Sequence, residues 1–189
     1  MANKKTIGTG AAAPVFSLFR QTGVLICCVF FMAQCETNAQ KLSKYYVSYS
    51  QPAGMMYFIQ PQTNFNNTAT KEKFISDVTY IDSNDSATIN FTFSDKDDLN
   101  LKTITVAYGN WQYQSDVQRI YVDMDKKRWR YRYTFQIPFE QLVLFYRAKA
   151  PVITLATDSS RNISVKTIKQ WKKNAEINNH IMQIIQKNK

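Results

Sequence analysis

Ile120-Tyr121-Val122-Asp123-Met124-Asp125-Lys126-Lys127-Arg128-Trp129-Arg130-Tyr131-Arg132-Tyr133 alternates in character on both sides of a Lys-Lys pair. On a strand, successive side chains point to opposite faces. Folding this segment back with Met124 opposite Trp129 sets Val122 against Tyr131 and Ile120 against Tyr133. The other face then pairs Asp125 with Arg128, Asp123 with Arg130, and Tyr121 with Arg132. A slip of one residue would mix aromatics with aspartates, so the alternation selects this register. The segment reads as an antiparallel hairpin with one apolar face and one charged face.

The same pattern extends outward. Residues 73–81 and 87–94 form a second expected hairpin, with Asp82 opposite Ala87. Tyr80 then faces Ile89, Val78 faces Phe91 and Ser76 faces Phe93, while Thr79–Asn90 and Asp77–Thr92 make the polar face. Further strands are expected at 44–49, 55–60, 99–108, 152–157 and 162–165, rich in Val, Ile, Thr and aromatics. Gly54 and Gly109 mark turns. Residues 138–148 read as a short helix opened by Pro138 and an early Glu140. Residues 167–186 carry Ile168, Trp171, Ala175, Asn178, Met182 and Ile185 at helical spacing, which predicts an amphipathic helix packed on the sheet. The expected fold is mainly β: an antiparallel sandwich or partly open barrel of about eight strands with a C-terminal amphipathic helix. This layout, with a final helix carrying a buried Trp, resembles a pleckstrin-homology-type barrel. A likeness of fold implies no function.

The chain has 189 residues, which suits a single domain behind an N-terminal leader. Lys4, Lys5 and Arg20 precede an apolar run at 23–33, and small residues Thr37 and Ala39 stand before Gln40. This is the pattern of a secretory signal peptide over 1–39, and it resembles those of Gram-negative bacteria. The apolar run is about half the ~20 residues a membrane helix needs. A lipoprotein signal acylated at Cys35 is the alternative, although Gln34 is larger than the residue such signals place before the cysteine. All three cysteines, Cys27, Cys28 and Cys35, lie in this leader. A domain of residues 40–189 therefore has no disulfide, thiolate metal site or cysteine nucleophile. It would work in the periplasm or outside the cell, with a membrane-anchored lipoprotein as the second possibility. It carries no transmembrane span.

Charge is uneven. Residues 71–125 hold five bases and ten acids, whereas 126–189 hold fourteen bases and three acids. Such an excess favours acidic partners. Arg128, Arg130 and Arg132, with Lys126 and Lys127, form a candidate anion-binding row, because guanidinium forks suit phosphate, sulfate and carboxylate. The competing reading is that Asp123 and Asp125 already neutralise the row. Asp95, Asp97 and Asp98 crowd one turn, and a meander brings Asp123 and Asp125 to the same end. That is a candidate hard-cation site, though it lacks the glycine and closing glutamate of an EF-hand loop. His180, the one histidine, falls on the polar side of the last helix without a supporting triad.

No phosphate loop, zinc-protease motif or nucleophile elbow is present, so a non-catalytic reading leads and no cofactor is expected. The leading expectation is an exported binding or structural module of the bacterial cell envelope. Its partner would be an acidic protein face, an anionic lipid or a glycan. Nucleic acid is disfavoured, since the aromatics point away from the arginines. Two alternatives are a hydrolase using two carboxylates and a carrier of a small apolar ligand in the barrel interior, with Trp111, Tyr113 and Phe139 near its mouth.

Overall fold

The expected hairpins grow into one sheet. The computed structural model describes residues 42–189. The expected leader, with Cys35 and the expected cleavage site, lies outside the described residues. In chain order the elements are β1 (Tyr46–Gln51), β2 (Gly54–Asn67), β3 (Lys73–Ile81), β4 (Ser86–Asp95), β5 (Leu101–Tyr108), β6 (Trp111–Asp116), β7 (Gln118–Asp125), β8 (Arg128–Pro138), α1 (Phe139–Arg147), β9 (Val152–Thr157), β10 (Asn162–Thr167) and α2 (Gln170–Asn188). The sheet has ten strands in the order β6-β5-β9-β10-β2-β3-β4-β8-β7, with β1 also beside β2. Every pairing is antiparallel. The two edge strands, β6 and β7, are consecutive in the chain and joined by Val117 alone. The sheet thus curls until it nearly closes into a barrel, leaving one seam between β6 and β7.

The β7–β8 register is the expected one from Asp125↔Arg128 to Tyr121↔Arg132. Lys126 and Lys127 form its two-residue turn with φ of 50° and 62°, the geometry of a type I′ turn. One pair differs: Tyr133 stands opposite Arg119, and Ile120 is the extra residue of a bulge. A bulge on an edge strand is a common device for blunting the edge. The expected burial of this face also fails on β7. Tyr131 and Tyr133 are buried, but Ile120, Val122 and Met124 are exposed, since β7 is an edge strand paired only with β8 among the described residues.

In the β3–β4 hairpin the faces are as expected but the register moves by two residues, giving Val78↔Ile89, Asp77↔Asn90 and Ser76↔Phe91. A shift of two preserves which residues share a face, so the apolar pattern cannot detect it. Asp82 leaves the ladder: its carboxylate accepts from Met55 N–H at 3.0 Å, and its N–H donates to the Met55 carbonyl at 3.1 Å. That tie brings Asp82 against Gly54, whose φ of +123° and crowding by Asp82 admit no Cβ.

Strand β2 runs on to Asn67 rather than ending at Gln60, before Pro61. The register jumps from Ile59 to Gln62 there, so the proline sits in an irregularity where no ladder N–H is required. Strand β6 was not expected at all. Its polar Gln112, Gln114 and Asp116 face water on an edge, and its other residues are only half-buried. The last helix begins at Gln170, because Thr167 is still paired with Phe65 in β2.

Two helices close the barrel. Helix α1 buries Phe139, Leu142, Val143 and Tyr146 at i, i+3, i+4, i+7 spacing, which distinguishes it from a strand. Helix α2 buries Trp171, Ala175, Ile181, Met182 and Ile185, together with Asn174 and Asn178. The asparagines on this apolar stripe have partners on β2. Gln62 and Asn178 exchange two amide hydrogen bonds at 3.0 Å each, Asn64 donates to Gln62 at 3.1 Å, and Asn174 donates to Asn64 at 2.7 Å. Buried amides that satisfy one another fix the position of α2 on the sheet more specifically than apolar contact does.

Candidate functional site

The arginine row projects from the outer face of β8, and each member has an acid. Arg132 Nη2 donates to Asp77 Oδ2 at 2.6 Å, reaching over β4 to β3, and Arg132 Nη1 donates to Thr92 at 3.1 Å. Asp77 is 2% exposed and also accepts from Asn90 at 2.8 Å. Arg130 forks onto Asp123 at 3.0 and 2.6 Å, and Asp125 lies 3.9 Å away. Those hydrogen bonds hold the Asp123 carboxyl below its ordinary value and raise the Arg130 guanidinium above its own. Arg128 was expected to meet Asp125 but binds Glu72 at 2.5 Å instead. The guanidinium stem is long enough to reach an acid two strands away. Lys126 and Lys127 at the turn are exposed and make no ion pair among the described residues. The row is therefore neutralised, and its two lysines are not.

The opposite face of β8 explains its tyrosines. Tyr131 OH accepts from Leu99 N–H at 2.7 Å and lies 3.0 Å from the Asp97 carbonyl. Tyr133 OH accepts from Leu101 N–H at 3.1 Å. The two phenols thus hold the β4–β5 connection across the barrel. Burial pushes the Tyr131 phenol up to about 12 and raises Tyr146 further. The folded state then keeps protons that the unfolded chain releases above pH 10, so stability is full below pH 10 and is lost as pH rises toward 12. Tyr131→Phe orphans the Leu99 N–H and is expected to cost about 1–3 kcal/mol. Urea unfolding should show this, and the decline between pH 10 and 12 should be shallower in the variant.

The acids of the turn are engaged by groups of the same chain. Among the described residues no three His, Cys, Asp or Glu side chains are disposed to hold a metal ion. Arg161 supplies the positive charge instead, 2.7 Å from Asp97 and 3.4 Å from Asp95. Asp95 also accepts from the Asp97 N–H, and Asp98 accepts from Tyr131 OH. Asp123 and Asp125 belong to Arg130. Asp95 does lie at the same end of the sheet, opposite Trp129 on β8, as a meander implies.

A different site emerges where α1 meets α2. A groove of about 580 Å³ opens there, within the range of small-molecule sites. Its floor is formed by Tyr146, Ala148, Trp171 and Ala175, and its rim carries Arg147, Lys149, Lys172 and Glu176. Trp171 is held by its indole N–H on the Ala148 carbonyl at 3.0 Å and by ring contacts with Phe65 and Phe145 at 5.1 Å each. The three cations are exposed and have no ion-pair partner among the described residues. Asn179 adds a buried amide oxygen without a donor among the described residues. The first turn of α2 contains no acid, so Lys172 and Lys173 stand against the helix dipole uncompensated. Sequence reading missed this site because its lining comes from two separated segments. The acid-free, lysine-rich start of α2 was its only local signal.

The remaining candidates have structural places. His180 is exposed on α2. Trp111 donates to Gln141 at 2.6 Å and Tyr113 to the Gln136 carbonyl at 2.9 Å, which fastens β6 across the seam. Phe139 stacks on Tyr80 at 4.4 Å. The barrel interior retains a cavity of about 20 Å³, the room of one water. Glu176 is the one carboxylate of the α1–α2 groove, and the interior cavity is lined by none. No helix of the described residues is long and apolar enough to cross a membrane. No family model, curated protein or solved structure matches the chain.

Proposed function

We propose that this chain is an exported, non-catalytic binding module of the bacterial cell envelope that holds an anionic ligand in the groove between α1 and α2. The observation that carries the reading is the contrast between two sets of cations. Arg128, Arg130, Arg132 and Arg161 are spent on acids of the same chain. Arg147, Lys149 and Lys172 share one rim with a single acid, Glu176, around a cavity large enough for a ligand. A cleft lined by one sign of charge concentrates counter-charged ligands. The unpartnered Asn179 oxygen suits a ligand that also offers a hydroxyl or amide donor, as an acidic sugar does. Export rests on the pattern of residues 1–39.

The experiment is salt-dependent retention of residues 42–189 on immobilised sulfated glycan. The wild type should be retained at low salt and released as salt rises. The triple variant Arg147→Ala/Lys149→Ala/Lys172→Ala should elute early, whereas Arg130→Ala should behave as wild type. Equal retention of the wild type and the triple variant refutes the assignment to the groove. The export half is checked by the intact mass of the chain from its native host, which should begin at Gln40. Full-length chain in the cytosol contradicts it.

A further inference from the structure

The edge strand β7 carries a second surface that the groove does not explain. Ile120, Tyr121, Val122 and Met124 are 51%, 42%, 38% and 61% exposed. They are four of the seven exposed large apolar side chains among the described residues. Val122 and Met124 stand opposite Tyr131 and Trp129, so they extend the inner face of the barrel beyond its cover, while Tyr121 lies on the outer face opposite Arg132. The exposed apolar groups thus occupy both faces of one edge strand, and a concentration of this kind marks an interaction site. At its end come Lys126 and Lys127, both with positive φ and both without an ion pair among the described residues. A type I′ turn is best served by Asn-Gly, and non-glycine residues are strained there. Two lysines at this turn therefore cost stability and place two free cations beside the apolar strip.

We infer that the β7–β8 hairpin rests its tip and outer edge on an anionic lipid surface. Apolar side chains, a tyrosine and lysines in one strip are the chemistry of a membrane interface, where rings and aliphatic groups enter the headgroup region and ammonium groups meet phosphates. The two tip acids oppose this only in part: Arg130 forks onto Asp123 and lies 3.9 Å from Asp125, so one negative charge remains beside the two lysines. A partner strand is a poorer occupant, because the bulge at Ile120 breaks the alternation that an added strand must follow.

The test is co-sedimentation of residues 42–189, which contain the whole described core, with phosphatidylglycerol vesicles and with phosphatidylcholine vesicles. Binding to the anionic vesicles alone, declining with salt, is expected. Val122→Thr/Met124→Gln should weaken it at least tenfold. Lys126→Asn/Lys127→Gly should raise the unfolding midpoint, by relieving the turn, and still weaken vesicle binding several-fold. A purely structural role for the lysines predicts the first effect without the second. In the groove variant Arg147→Ala/Lys149→Ala/Lys172→Ala, adding Val122→Thr/Met124→Gln should still cut the remaining vesicle binding tenfold, so this inference and the groove reading fail separately. Three results overturn it: a wild type that ignores anionic vesicles, hairpin variants that bind like wild type, or a wild-type dimer that Val122→Thr/Met124→Gln dissociates.

Discussion

Arg132→Met is expected to lower the unfolding free energy by about 3 kcal/mol, the scale of removing one partner from a buried ion pair. For a domain of this size that is roughly 6–12 °C in Tm. The loss arises at Asp77, 2% exposed, which keeps only the Asn90 amide once the guanidinium at 2.6 Å is gone. The double variant Arg132→Met/Asp77→Asn should recover most of the loss, because the uncompensated charge goes with it. Arg130→Met should change stability little, since both members of its pair are more than 40% exposed. Urea denaturation of the four proteins checks the set. An Arg132→Met variant as stable as wild type would mean that the β8–β3 bridge is dispensable and that the arginine row is free for ligands after all.

Trp171→Ala is the second large effect, at about 4 kcal/mol. The indole is 2% exposed, lies 5.1 Å from the rings of Phe65 and Phe145, and satisfies the Ala148 carbonyl. Truncation leaves a cavity between β2, α1 and α2 and an orphaned acceptor beside it. Trp171→Phe should cost less than half as much, since most of the packing survives and one hydrogen bond is lost. Near-ultraviolet circular dichroism and thermal unfolding report both. The Ala variant should also lose glycan retention, because Trp171 forms the groove floor, and Trp171→Phe should keep it.

The hairpin from Ile120 to Tyr133 was legible because charge and aromaticity alternate on both strands, leaving one pairing without conflict. The β3–β4 hairpin was legible only in its faces. Its two-residue shift comes from Asp82, which turns toward Met55, and no local pattern announces a contact 27 residues away. The arginines showed what they could bind but not what they do bind. Asp77 and Glu72 come within reach through the order β3-β4-β8, a property of topology. Asn178 in an apolar stripe was visible as an anomaly, and its partner Gln62 follows a proline that hid the second half of β2. The groove was the least legible feature, since residues 146–149 and 171–179 meet only when two helices pack.

Paired cations build the sheet, and we propose that the unpaired cations of the α1–α2 groove bind the ligand. The direct measurement is an amide chemical-shift map of labelled residues 42–189 titrated with a sulfated disaccharide. The shifts should gather at 146–149 and 171–179 and leave Arg128, Arg130 and Arg132 unmoved. Shifts centred on those three arginines, or none at saturating ligand, would contradict it.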